Sequence, residues 1–194
     1  MSEKKGPLVE ARMPTKFGTF RLIAFDGEAK EKENLALVMG NIDEGEILVR
    51  VHSECFTGDV LHSMRCDCGE QLDLAMERIA TERKGMIIYL RQEGRGIGLV
   101  NKLKAYNLQD DGLDTVEANI ALGFDAELRD YSGAASILKT LGVEKIKLMT
   151  NNPAKVEELA KDGFDVRMVE HKTTPNKENK EYLDTKAKKM DHEL

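Results

Sequence analysis

Four short β-type segments open the chain, Leu8–Met13, Gly18–Phe25, Leu35–Met39 and Glu46–Val51, punctuated by Pro14, Gly18, Gly27, Gly40 and Gly45. Segments this short and only partly alternating cannot bury a face alone, so they must share a sheet. Tight glycine and proline breaks favour antiparallel neighbours, and an antiparallel meander is the economical arrangement. The period then changes. Leu72, Ala75, Met76, Ile79 and Ala80 recur at helical spacing across residues 71–81, and Gly85 closes that run. A strand at Met86–Leu90 and the polar loop RQEGRGIG follow, and then Ile97, Val100, Leu103 and Tyr106 form one predicted helical face. Helices at 116–122 and 134–141, a strand at Lys145–Met149, a helix opening at Asn151-Asn152-Pro153, a strand at Val166–Val169 and a terminal amphipathic helix at Glu178–Met190 complete the pattern. This order predicts an α/β fold: a single three-layer domain over residues 1–194 with a mixed sheet, antiparallel and β-rich at its start, then alternating helices and strands. Residues 1–10 and 191–194 are expected to be flexible tails.

Composition narrows the functional classes. Of 194 residues, 41% are hydrophobic and 33% charged, which suits a folded soluble protein rather than a disordered one. No apolar run reaches the roughly 18 residues of a membrane span, and the opening MSEKKGPLVEAR lacks the apolar segment of a secretory signal, so a cytoplasmic location and no membrane partner are expected. A net charge of −6 removes any global attraction for a phosphate backbone, and no nucleic-acid partner is expected.

All three cysteines, Cys55, Cys66 and Cys68, fall within Arg50–Gln71. Zinc held by three protein ligands keeps a fourth position for water or substrate, which marks a catalytic site, whereas a structural zinc is closed by four. The spacing, ten residues and then one, is not that of a zinc finger. The competing reading is three buried free thiols. His52 and His62 are the histidines that could close such a site, although a histidine in a folded domain is more often a hydrogen-bonded structural group. Met64 and Met76 read as packing.

Ligands in open α/β sheets bind beyond the carboxyl ends of strands, which draws attention to the loops after Leu90 and Met149. The first offers Arg91, Glu93, Arg95 and three glycines, suited to close approach by an anion. The second offers Thr150 and Lys155 around a helix N-terminus. With Arg50 and Arg129 they make a polyanionic substrate plausible.

Taken together, RVHSECFTGD, RCDCG, YLRQEGRGIGL, KAYNLQD, DTVEAN, KLMTNNPAK and YLDTKAKKM resemble the GTP cyclohydrolase II family, from about Ala11 to His192. The resemblance implies a homodimeric enzyme of riboflavin synthesis. It would open the imidazole ring of GTP, releasing formate and pyrophosphate and leaving 2,5-diamino-6-(5-phosphoribosylamino)pyrimidin-4(3H)-one. It implies one Zn²⁺ per chain on Cys55, Cys66 and Cys68, and Mg²⁺ accompanies the triphosphate. Contacts to GTP are implied for Arg50, Val51, His52, Ser53, Glu54, Gln71, Glu93, Gly94, Arg95, Thr115, Thr150 and Lys155. Tyr106 matches a tyrosine implicated in proton handling near the guanine ring, and Arg129 matches a proposed nucleophile toward the α-phosphate. An arginine is a poor nucleophile at neutral pH, so a clamp on phosphate charge is the chemically simpler role. Two residues before it the family pattern has an aspartate assigned as proton acceptor, and this sequence has Glu127, with Asp125 and Asp130 nearby. Two rival functions are a family variant that stops at the ring-opened formamide and a non-catalytic, zinc-stabilised nucleotide-binding protein.

Overall fold

A computed structural model describes residues 6–27, 32–125 and 130–189. Its centre is a seven-stranded mixed sheet in the order β1-β2-β3-β5-β4-β6-β7, built from β1 (Val9–Thr15), β2 (Gly18–Phe25), β3 (Asn34–Met39), β4 (Ile47–Ser53), β5 (Gly85–Leu90), β6 (Lys145–Met149) and β7 (Asp165–Val169). The antiparallel start is as the sequence predicts, since β1 pairs with β2, β2 with β3 and β3 with β5 in antiparallel register. Beyond it, β4 pairs with β6 and β6 with β7 in parallel. The expected meander ends at β3, because β5 enters between β3 and β4. β4 is buried almost throughout and β5 nearly so, which is the pattern of central strands covered on both faces. Val9 and Glu10, expected in a terminal tail, instead pair with Ala24 and Ile23, and Leu8 extends the ladder by donating its N–H to the Ala24 carbonyl at 2.8 Å. Residues 191–194 lie outside the described residues.

The helices are α1 (Phe56–Asp59), α2 (Cys68–Glu82), α3 (Gly98–Asp110), α4 (Thr115–Ala121), α5 (Ser132–Thr140), α6 (Pro153–Lys161) and α7 (Lys180–Lys189). The chain divides into two compact units. One comprises Met1–His52, Asp73–Arg91 and Tyr131–His171, and the other Ser53–Leu72, Gln92–Asp130 and Lys172–Leu194.

The first unit holds the main core. Val38, Val49, Ile88 and Leu148 from one sheet face pack with Ala134, Ile137 and Leu138 of α5 and Leu159 of α6. Residues of opposite parity, Leu48, Ile87 and Met149, are equally buried, so both faces of the sheet are covered. Ile79 of α2 reaches β5 at Gly85, where an added Cβ would stand 3.0 Å from the Ile79 side chain.

In the second unit α3 and α4 pack together, and α4 against α7. Local signals start α4: Asp114 accepts from the N–H groups of Val116 and Glu117 while Glu117 accepts from Asp114 N–H, a full capping box. The helical period expected from Ile97 onward is present in α3, but its buried face is a different one. Val100 is 68% and Leu103 46% exposed, while Ala105 is buried.

Candidate active site and metal centre

The thiol cluster is built in the second unit by one short helix and the start of another. Cys55 directly precedes α1; its N–H donates to Asp59 Oδ2 at 3.0 Å, and its carbonyl accepts from Asp59 N–H at 2.7 Å. Cys68 opens α2, three residues earlier than the apolar period suggests, and Cys66 stands just before it. The two segments meet at Gly58 and Gly69, where a Cβ on Gly69 would fall 2.3 Å from the Gly58 carbonyl oxygen. Gly58 is also confined on its other side, since a Cβ there would lie 3.0 Å from Cys66 Sγ and 3.1 Å from Cys55 Sγ. Gly69 thus has no room for a side chain, and a Cβ at Gly58 would crowd the sulfurs.

The three Sγ atoms lie within 4.8 Å of one another, and Cys55 Sγ is 3.7 Å from Cys66 Sγ. Tetrahedral zinc at about 2.3 Å from each sulfur requires sulfurs about 3.8 Å apart, so the donor type and the spacing both fit zinc. Among the described residues the group has three members and no fourth. His62 is exposed, with a left-handed φ of 54°, and His52 stacks on Tyr89 at 5.5 Å. Met64, expected to pack, is exposed.

The sulfurs share protons unequally. Hydrogen bonds from Cys66 and Cys68 hold the Cys55 thiol far below its ordinary range, and the charge of Lys102 adds to this. The Cys55 thiolate in turn pushes Cys66 up to about 11, and hydrogen bonding to its neighbours raises Cys68 as well. At neutral pH the metal-free trio therefore carries one thiolate.

Lys102 Nζ donates to Cys55 Sγ at 3.0 Å and to Glu93 Oε1 at 2.7 Å. Burial disfavours its charged form, but the Cys55 thiolate and Glu93 outweigh burial and hold its pKa above that of an ordinary lysine. Glu93 is itself buried and also accepts from Phe56 N–H at 2.6 Å and Gly94 N–H at 2.8 Å. Sequence reasoning missed Lys102. The available signal was its position four residues before Tyr106, which places both on one side of α3.

Tyr106 OH is 3.0 Å from Thr57 Oγ1, which is 3.6 Å from Cys55 Sγ. Burial raises the pKa of the tyrosine, so it keeps its proton at neutral pH. The Arg65 guanidinium lies 4.9 Å over the Tyr106 ring and is tied to both carboxylate oxygens of Asp110 at 2.7 Å. Beside the sulfurs is a cavity of about 110 Å³, whose walls include Ser53, Glu54, Gly94, Arg95, Lys102, Tyr106, Thr115 and Asn119. Gly94 and Arg95 are both left-handed, with φ of 62° and 60°. For arginine that conformation costs on the order of 1–2 kcal/mol, a strain more common at functional sites than elsewhere. Arg95 Nη1 is buried there with no hydrogen-bond partner among the described residues.

The other expected site residues fall into three groups. Glu93 and Gln71 are in the second unit but support rather than line the cavity; Gln71 Nε2 donates to the buried Asp67 carboxylate. Arg50, Val51, His52, Thr150 and Lys155 belong to the first unit, at the carboxyl ends of the parallel strands β4 and β6. There Arg50 Nη1 donates to the Met149 carbonyl at 2.8 Å and Lys155 Nζ to the Val51 carbonyl at 2.9 Å. Thr150 Oγ1 accepts from Asn152 N–H at 3.1 Å, and Asn152 caps α6 with Pro153 next, as the sequence predicts. Glu127 and Arg129 lie outside the described residues. Gln92 links Ser53 Oγ at 3.1 Å to Asp130 N–H at 3.2 Å.

The family model described as GTP cyclohydrolase II matches residues 7–172. A "GTP cyclohydrolase-2" of Histophilus somni is 53% identical over 187 residues, covering 95% of this chain and 87% of that protein. A "Riboflavin biosynthesis protein RibBA" of Bacillus mycoides is 54% identical over 190 residues, covering 96% of this chain and 47% of that longer protein. Among solved structures, RibBX of A. baumannii, a two-domain 3,4-dihydroxy-2-butanone 4-phosphate synthase, is similar at 25% identity and a TM-score of 0.43, covering 77% of this chain and 35% of that one.

Proposed function

Because the chain belongs to the GTP cyclohydrolase II family, we propose that its three-thiol pocket is the reaction centre of a zinc-dependent enzyme that opens the imidazole ring of GTP in riboflavin biosynthesis. The products would be formate, pyrophosphate and the 2,5-diamino-6-(5-phosphoribosylamino)pyrimidin-4(3H)-one. The observation that carries this reading is a group of three sulfurs at zinc-compatible spacing, without a fourth ligand among the described residues and beside a cavity. Three ligands leave a coordination position open for chemistry, whereas a purely structural zinc would be closed.

Cys55, Cys66 and Cys68 would hold the metal, which when bound supplies a Lewis acid able to make water nucleophilic near neutral pH. The purine C8 is a poor electrophile, so the chain's own groups must supply orientation and proton transfer. Tyr106, protonated and fixed by Thr57, is suited to donate a proton beside the sulfurs. Glu54 lines the same cavity and directly precedes Cys55 in sequence, which suits it to orient water. The positive groups Arg95 and Lys102 lower the cost of negative charge developing there.

The remaining assignments extend the proposal. Arg50, Val51, His52, Ser53, Gln71, Glu93, Gly94, Thr115, Thr150 and Lys155 are substrate contacts by family motif. Mg²⁺ would accompany the triphosphate, since a bare polyanion is seldom held by side chains alone. Glu127 would be a proton acceptor, and Arg129 would act on the phosphate as clamp or nucleophile. The working enzyme would be a cytoplasmic homodimer.

The test incubates the protein with GTP, Mg²⁺ and Zn²⁺ and assays formate and pyrophosphate separately. Release of both supports the reading. Pyrophosphate with retained formate identifies the formamide-stopping variant, and binding of GTP without either product would overturn the catalytic reading.

A further inference from the structure

Lys102 carries none of the roles assigned above by family motif, yet it is a partly buried cation within hydrogen-bond distance of one of the three sulfurs. Its side chain is 13% exposed and that of its partner Glu93 3%. We infer that Lys102, fixed by Glu93, is a positioning residue that donates a charged hydrogen bond to Cys55 and so sets how much negative charge this ligand passes to the metal. The inference rests on the zinc reading of the three thiols.

Three thiolates around a dication leave one negative charge in excess, which blunts the metal as a Lewis acid. The Lys102 ammonium, although shared with the Glu93 carboxylate, sets a positive charge directly against one of those sulfurs. A hydrogen bond between two ionised groups is also stronger and more directional than a neutral one. The distances match this role, since Lys102 Nζ lies 3.0 Å from Cys55 Sγ and 2.7 Å from Glu93 Oε1.

Glu93 sets that geometry from two sides. The same carboxylate accepts from Phe56 N–H at 2.6 Å, the residue directly after Cys55, so it fixes both the ammonium and the segment carrying the sulfur. Its further bond from Gly94 N–H keeps Glu93 from depending on Lys102 alone for its satisfaction. Thr57 adds a second, weaker polar contact to the same sulfur at 3.6 Å. Cys55 is thus the ligand whose electron density the protein adjusts, in a way that a purely packing role for Lys102 would not require.

The experiment loads the full chain with cobalt(II) in place of zinc and reads the thiolate-to-cobalt charge-transfer band in the near ultraviolet. Lys102→Met keeps most of the side-chain volume and removes the donor, so its band is expected at longer wavelength than that of the unsubstituted protein. Lys102→Arg, which keeps charge and donors, is expected to restore most of the shift. A Lys102→Met band superimposable on the unsubstituted one would overturn the inference while leaving the metal reading intact. If Lys102→Met does not fold, Lys102→Leu, which also lacks a donor, is read in the same way, and an unmoved band there overturns the inference equally. An unsubstituted chain that takes up no cobalt overturns the metal reading and this inference together.

Discussion

Gly58 and Gly69 touch backbone to backbone: a Cβ added to Gly69 would stand 2.3 Å from the Gly58 carbonyl oxygen, and one added to Gly58 would press on two of the three sulfurs. Gly69 lies in the first turn of α2, where alanine would ordinarily gain about 1 kcal/mol of helix propensity. The clash is with backbone rather than with a flexible side-chain end, and overpacking of that kind costs about 1–3 kcal/mol. Gly69→Ala is therefore expected to destabilise the protein by up to about 2 kcal/mol net and to lower its zinc content, read by denaturant unfolding and metal analysis.

Replacing Cys66 by Ser is expected to lower metal content and turnover together. A metal-free Cys66→Ser protein with full activity would remove the thiols from the mechanism.

Zinc uptake should release protons. With Cys55 already ionised and both Cys66 and Cys68 raised, binding at neutral pH must displace about two protons, so apparent affinity should climb steeply with pH. Calorimetric titration in buffers of different ionisation enthalpy measures the number directly, and a release near zero would mean that the sulfurs are not the ligands.

Tyr106 reaches Cys55 through the Thr57 hydroxyl rather than directly, so Tyr106→Phe is expected to keep its metal while losing about 10²-fold in turnover. Equal loss of metal and activity would instead make the tyrosine a support of the sulfur cluster.

If Glu127 serves as the proton acceptor, Glu127→Gln should lose far more activity than Asp125→Asn. Small and equal losses would take the role away from Glu127.

Much of this protein is legible in its residue order because the signals involved are local. Gly and Pro spacing separates β1, β2 and β3, the Asp114–Glu117 box starts α4, and Asn152-Pro153 starts α6, each through groups a few residues apart. The three cysteines stand within one short window, so the chemistry of the site is written there too. What only the tertiary structure decided depends on groups far apart in sequence. The period of α3 was readable, but which face it buries was not: Val100 and Leu103 are exposed, while Lys102, Ala105 and Tyr106 face the sulfurs' cavity. Apolarity favours burial only when no charged partner competes for the same face. Here Cys55, 47 residues from Lys102 in sequence, and Glu93 supply those partners. The insertion of β5 between β3 and β4 is of the same kind, because strand order follows from long-range pairing that no local pattern encodes.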